Sequence, residues 1–149
     1  MRHQEENMQT WLKLIGSNKE PITEHPFYGN YDEKQVGFRK TNKPSIRSGD
    51  QIFLYAPGGS MSIFALAEVI SNPEENPQYN PEEEGSCYWN INIHYLINLP
   101  VSSGILLNEI TTEQRDLSKS IQQQSHIRLL PEESDLAYSK LHKKVANQS

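Results

Sequence analysis

Apolar and polar residues alternate from 87 to 99. Trp89, Ile91, Ile93, Tyr95, Ile97 and Leu99 fall on one side. Tyr88, Asn90, Asn92, His94 and Asn98 fall on the other, with Leu96 as the one aliphatic among them. A period of two over that length predicts a long strand with one face in a core. Residues 48–71 show a different pattern. Ile52 to Ala56 and Ile63 to Ile70 are nearly continuous apolar runs, and Glu68 is the single charge in the second. Pro57, Gly58, Gly59 and Ser60 separate them. Two such runs joined by a Gly-rich connection predict a hairpin, and the lack of alternation puts both strands mid-sheet, covered on two sides. Ser48, Gly49 and Asp50 before it form a turn signal, with Gly49 free to take positive φ and Asp50 able to bond backbone two residues on.

The rest of the chain reads more weakly. Residues 11–15 predict a first strand, ended by Gly16, Ser17 and Asn18. Pro21 would open a helix that Pro26 and Gly29 keep short. Residues 36–39 show no clear period, and 40–44 read as loop. Residues 72–86, with Pro73, Pro77 and Pro81, predict a long acidic loop without regular structure. Residues 101–107 predict a strand interrupted by Ser102, Ser103 and Gly104. Thr111 and Gln114 fit a capping box ahead of a short helix to about Ser120. Residues 127–130 predict a last strand. Pro131 then opens a final helix, with Ala137, Tyr138, Leu141 and Val145 as its apolar stripe and Lys140, Lys143 and Lys144 near its end. Five or six strands with few helices give an α+β chain: a small curved, mixed sheet or open β-barrel flanked by short helices.

Length changes the picture little: 149 residues fit a single domain, 1–149, with its core at about 10–145. Charge changes it more. The net charge is −5, yet Glu74, Glu75, Glu82, Glu83 and Glu84 in the loop account for all of it. Lys34, Arg39, Lys40, Lys43 and Arg47 form a basic stretch with no acid between them. No apolar run approaches the length of a membrane span, and the first residues hold no apolar segment of a signal peptide. A cytoplasmic protein without a membrane partner is expected.

Chemistry is sparse. Cys87 is the single cysteine, so neither a disulfide within the chain nor a Cys-cluster metal site can form. Cys87 and His94 would lie about 23 Å apart on one extended strand, too far to act as nucleophile and base. The five histidines, at 3, 25, 94, 126 and 142, show no metal-ligand spacing, and no cofactor motif appears. Pro57 to Ser60 lacks the Lys and Ser/Thr of a phosphate-binding loop. Ser17, Asn18, Tyr55 and Trp89 instead fall at strand ends. Together they could form a small pocket with flat apolar faces and hydrogen-bonding edges. Singly, each aromatic is expected to be core.

Arg47 to Tyr55, with its Gly-Asp and following apolar and aromatic residues, resembles a segment of EVE domains. These belong to the PUA-like superfamily, alongside YTH and ASCH domains. The likeness extends over roughly 10–141. Trp11 to Ser17 is similar to the family's first strand, and Val36 to Lys40 to a Trp-Gly segment in which Val36 stands where the Trp would be. Trp89 is similar to an aromatic at the start of the long strand, and Ile127 to Pro131 to the closing segment. The resemblance implies a PUA-like pseudo-barrel that binds a modified base in DNA or RNA without catalysis. A separate nuclease or modification enzyme would be the expected partner. On that reading Ser17 and Asn18 bond the base edge, and Phe38, Tyr55 and Trp89 stack. Arg39, Lys40, Lys43 and Arg47 meet the backbone. Two alternatives stay open: a PUA-like module for a nucleotide or small molecule that never touches a polymer, and an RNA- or base-directed hydrolase.

Overall fold

The structure, a computed structural model, describes residues 8–15, 33–56, 62–124 and 126–147. Eight strands lie among them: β1 (Thr10–Leu14), β2 (Gln35–Phe38), β3 (Gln51–Ala56), β4 (Ser62–Val69), β5 (Glu74–Glu75), β6 (Trp89–Asn98), β7 (Ile105–Leu106) and β8 (His126–Arg128). Two helices follow late, α1 (Leu117–Gln124) and α2 (Pro131–Asn147). The main ladder runs β2-β6-β4-β3-β1-β8, with β5 on β6 and β7 on β4. β1 pairs parallel with β3 and every other pairing is antiparallel, so the sheet is mixed as expected.

β3 and β4 take the two central positions, and all their residues except Gln51 and Glu68 are buried. That is why neither alternates: each face of both strands meets a core. One core is lined by strand residues from across the sheet, including Trp11, Val36, Phe38, Ile52, Leu54, Phe64, Ile91 and Ile93. Side chains from distant strands meet there because the sheet curls into a half-barrel around them. The other core lies on the outer face, where Leu12, Phe53, Tyr55, Ile63 and Leu66 pack against Leu117, Ile121, Ala137 and Leu141 of the helices. Each fully buried Leu, Ile or Phe side chain contributes about 1.5–3 kcal/mol relative to exposure.

Two bulges make the curl. The register of β4 against β3 passes over Phe64, and that of β6 against β4 passes over Leu96. An extra residue bends a strand and sends its later side chains to the opposite face. In β6 this corrects the expectation of one continuous apolar side. Trp89, Ile91, Ile93 and Tyr95 join the inner core, whereas Ile97 and Leu99 join the outer one.

Other expectations shift locally. The segment 101–107 is a 3₁₀ turn (Val101–Ser103) before the two-residue β7, not one interrupted strand. Thr111 does not cap a helix; its hydroxyl donates to Leu107 O at 3.1 Å. The cap is Asp116, whose Oδ1 accepts from Ser118 N–H at 3.0 Å, and α1 starts at Leu117. In α2, Ala137 and Leu141 are buried as expected, Tyr138 and Val145 are exposed, and Glu133 completes the buried stripe. Within the acidic loop, Glu74 and Glu75 pair with β6. The turn before β3 has Gly49 at φ 96°, as expected. Asp50, however, bonds backward and across: its carboxylate accepts from Gln9 N–H, Arg47 N–H and Trp11 Nε1–H at 2.9–3.1 Å.

Candidate functional site

The ladder does not close among the described residues, and rings from its two end strands, β2 and β8, meet across the seam. On β1 and β8, Lys13 stands directly opposite His126. On β2 and β6, Phe38 stands directly opposite Trp89. Across the seam, the Phe38 and His126 rings lie edge to face with centroids 4.9 Å apart. The Lys13 ammonium sits 5.3 Å from the Phe38 centroid, and the Trp11 ring lies 5.8 Å from His126. Phe38, His126, Lys40, Lys43, Pro44 and Ser45 are among the residues around a cavity of about 180 Å³ at this seam. A cavity of that order holds one aromatic ring.

The strand periodicity puts Lys13 here. Trp11, Lys13 and Ile15 share the inward face of β1, so a cation occupies a core position, 7% exposed. Its ammonium donates to Leu14 O at 2.9 Å. Burial pulls its pKa down from 10.5 to about 8; Cys87 opposes that shift and Arg39 adds to it. His126 is pushed down from 6.5 to about 4, first by burial and then by the charges of Lys13 and Lys40. Its imidazole is therefore neutral at pH 7, and its buried Nδ1 has no hydrogen-bond partner among the described residues. A neutral imidazole with an unpaired ring nitrogen can donate to or accept from a ligand edge.

Trp89 shapes the rim. Its Nε1–H donates to Thr41 O at 2.9 Å, and the Lys43 ammonium lies 5.9 Å from its ring. It thus holds the 41–44 loop against the seam. Arg39 is exposed, with its guanidinium 3.6 Å from where a side chain on Gly85 would begin, so the acidic loop lies against the basic stretch. Past Ser45, a wider groove of about 810 Å³ opens beside Trp11, with Arg47, Arg128 and Glu68 on its walls.

Among the expected pocket residues, the structure brings Phe38 and Trp89 together as cross-strand neighbours. Tyr55 packs in the outer core, on the sheet face opposite Phe38. Ser17 and Asn18 lie outside the described residues. Arg39, Lys40 and Lys43 surround the cavity and Arg47 lines the wider groove. Lys13, Trp11 and His126 were not singled out by sequence. Lys13 carried a signal, a lone cation at an alternating apolar position. His126, in a polar stretch, carried none. No group of three or more His, Cys, Asp or Glu side chains among the described residues is placed to hold a metal ion. No described helix is long and apolar enough to cross a membrane.

No family model matches the chain, and no curated protein does. Solved structures do. The crystal structure of protein Atu2648 from Agrobacterium tumefaciens superposes with a TM-score of 0.58 at 15% identity, covering 89% of this chain and 92% of that one. The NMR structure of Rpa0253 from Rhodopseudomonas palustris gives 0.56 at 16%, covering 91% and 94%. A hypothetical protein from Leishmania major gives 0.56 at 15%, covering 97% and 99%. At these identities the likeness is one of fold: a mixed α+β chain with a curled half-barrel sheet, shared over nearly the full length of each.

Proposed function

We propose that this chain is a non-catalytic, PUA-like module of EVE type that binds a modified base in DNA or RNA. The base enters the seam between β2 and β8. The observation that carries this reading is the Phe38–His126 pair beside a ring-sized cavity bordered by Arg39, Lys40 and Lys43. A flipped base needs a flat face to stack on, an edge partner and cations for its phosphates. Phe38 supplies the face, neutral His126 the edge, and the basic stretch the cations. The groove beyond Ser45, with Arg47 and Arg128, gives a neighbouring nucleotide room to run.

The test is a titration of short single strands and duplexes, each carrying one modified base, read by tryptophan fluorescence. Trp11 touches His126 and Trp89 holds the rim, so ligand entry should change the emission. A saturable change with one modification, absent for the plain base and lost in Phe38→Ala, is the expected result. Silence for every strand overturns the reading. The packing of the acidic loop against Arg39 favours a second reading, a module for a free nucleotide or other small planar ligand, because the loop weakens the field available to a polymer. The two differ in their response to salt.

A further inference from the structure

A separate cavity of about 280 Å³ lies between the last turns of α2 and residues 105–109. Lys140, Lys143, Lys144 and Asn147 line it from the helix, and Ile105 and Glu109 from the other side. None of these residues lines the cavity at the seam or the groove beside Trp11. Its charge is poorly balanced within the chain. Residues 136–147 contain no acid. Lys140 stands three and four positions before Lys143 and Lys144, spacings at which like charges on a helix repel. The helix dipole supports Lys144 in the last turn, but it falls off within that turn and does little for Lys140 and Lys143. None of the three ammoniums forms an ion pair among the described residues. The one carboxylate of the cavity, on Glu109, already accepts from Leu106 N–H at 2.7 Å.

We propose that this cavity binds a phosphomonoester group. It is a second site, and its occupancy does not depend on a base entering the seam. Three ammoniums and one carboxylate leave the cavity a net charge of +2. A phosphomonoester carries about −1.5 to −2 at pH 7 and presents three strong acceptor oxygens. A phosphodiester carries a single negative charge and leaves half of the excess uncompensated. The type of cation fits as well. Lysine ammoniums are compact point charges on flexible stems and close around a tetrahedral anion, whereas a flat carboxylate is matched by the planar fork of arginine, which this cavity lacks. Ile105, buried at 1% exposure, gives an apolar wall to the carbon skeleton beside the phosphate, and the Asn147 amide can donate to the ester oxygen. A small phosphorylated molecule and the phosphorylated end of a nucleic-acid strand share this chemistry, and the probes below separate them.

The test is a titration of the ¹⁵N-labelled full chain, read by amide NMR shifts, with four probes: phenyl phosphate, its methyl ester, and one short strand with a 5′-phosphate or a 5′-hydroxyl. Phenyl phosphate should give saturable shifts confined to 105–109 and 140–147. The methyl ester, with one charge fewer, should bind at least about tenfold more weakly. Both arms use the wild-type chain. Lys140→Gln with Lys144→Gln should weaken phenyl phosphate by at least about tenfold, and Lys119→Gln, an exposed cation on α1, should leave it unchanged. Saturable binding of phenyl phosphate at these amides supports the proposal with a small molecule as the source. A gain of the 5′-phosphorylated strand over the 5′-hydroxyl strand at the same amides supports it with a strand end as the source. Equal affinity for monoester and diester overturns it. So do shifts spread alike over every exposed lysine, which would mark general counterion attraction, and silence of phenyl phosphate together with the phosphorylated strand. None of these outcomes bears on the seam, which the modified-base titration tests by itself.

Discussion

Lys13 is where burial of a charge works against stability. It occupies a core position on β1, where an apolar side chain would pack without desolvating a charge. Its folded pKa of about 8 lies below the ordinary 10.5, so the fold binds fewer protons than the unfolded chain between those values. Stability from this group therefore rises with pH across that window, and the cost is fully present below about 8. Lys13→Met should raise the unfolding free energy at pH 7 by about 1–3 kcal/mol, and the gain should vanish by about pH 10.5. Urea unfolding of both proteins at pH 7 and across that window measures it. A variant less stable than wild type at pH 7 would show that Lys13 is well compensated in the free protein. Gly37 is read through its neighbour: a Cβ there would lie 2.8 Å from the Cys87 Cβ, so the absence of a side chain lets β2 and the residues just before β6 approach. Nothing in the residues around 37 announces that contact, because its partner is fifty positions away.

Among elements, α2 is the one whose start was legible and whose anchoring was not. Pro131 at its first position and acids in its first turn are local signals. The role of Glu133 is tertiary. Its carboxylate accepts from Leu130 N–H at 2.7 Å and from Arg115 Nε–H at 2.8 Å, and it is fully buried. Arg115 also donates to Arg128 O at 2.8 Å, so one carboxylate joins the end of β8, the start of α2 and the segment before α1. Glu133→Ala would leave the Arg115 guanidinium and the Leu130 amide without that acceptor. It should cost about 2–4 kcal/mol, and Glu133→Gln should cost less. Chemical denaturation of the two variants checks this, and equal losses would remove the charge from the account. Arg115 also explains why the helix expected from Thr111 begins later. The residues before it are held by a bridge between Thr112 and Arg115, and Asp116 is the first acceptor free to cap.

At the scale of the whole molecule, the net charge of −5 is misleading, because it sums an acidic loop and a basic stretch that fold against each other at Gly85 and Arg39. Counterion release depends on which cations meet phosphates, not on the sum. For a polymer ligand, replacing Arg39 and Lys40 together by Gln should lower the slope of log affinity against log salt by about 1–2. For an uncharged small ligand the slope should be near zero before and after, and for a free nucleotide, with one phosphate group, it should be shallower than for a strand. Isothermal titration at several salt concentrations separates the two. An unchanged, steep slope would place the phosphate contacts elsewhere, with Arg47 and Arg128 in the wider groove as the next cations to replace.

The sequence by itself determined the elements whose pattern is local. The central pair β3–β4 was legible from unbroken apolar runs, the long β6 from alternation, the turn at Gly49 from its residue type, and the start of α2 from Pro131. These depend on neighbours one to four positions apart. The tertiary structure decided what depends on distant partners. The bulges at Phe64 and Leu96 switch side chains between cores, and register is set by the strand opposite. The same dependence brings together the seam. Lys13, Phe38 and His126 come from three strands separated by 25 and 88 positions, and they meet because the sheet curls until its end strands face each other. No window of sequence contains that curvature, which arises from the sum of twist, bulges and two cores packing on opposite faces of one sheet.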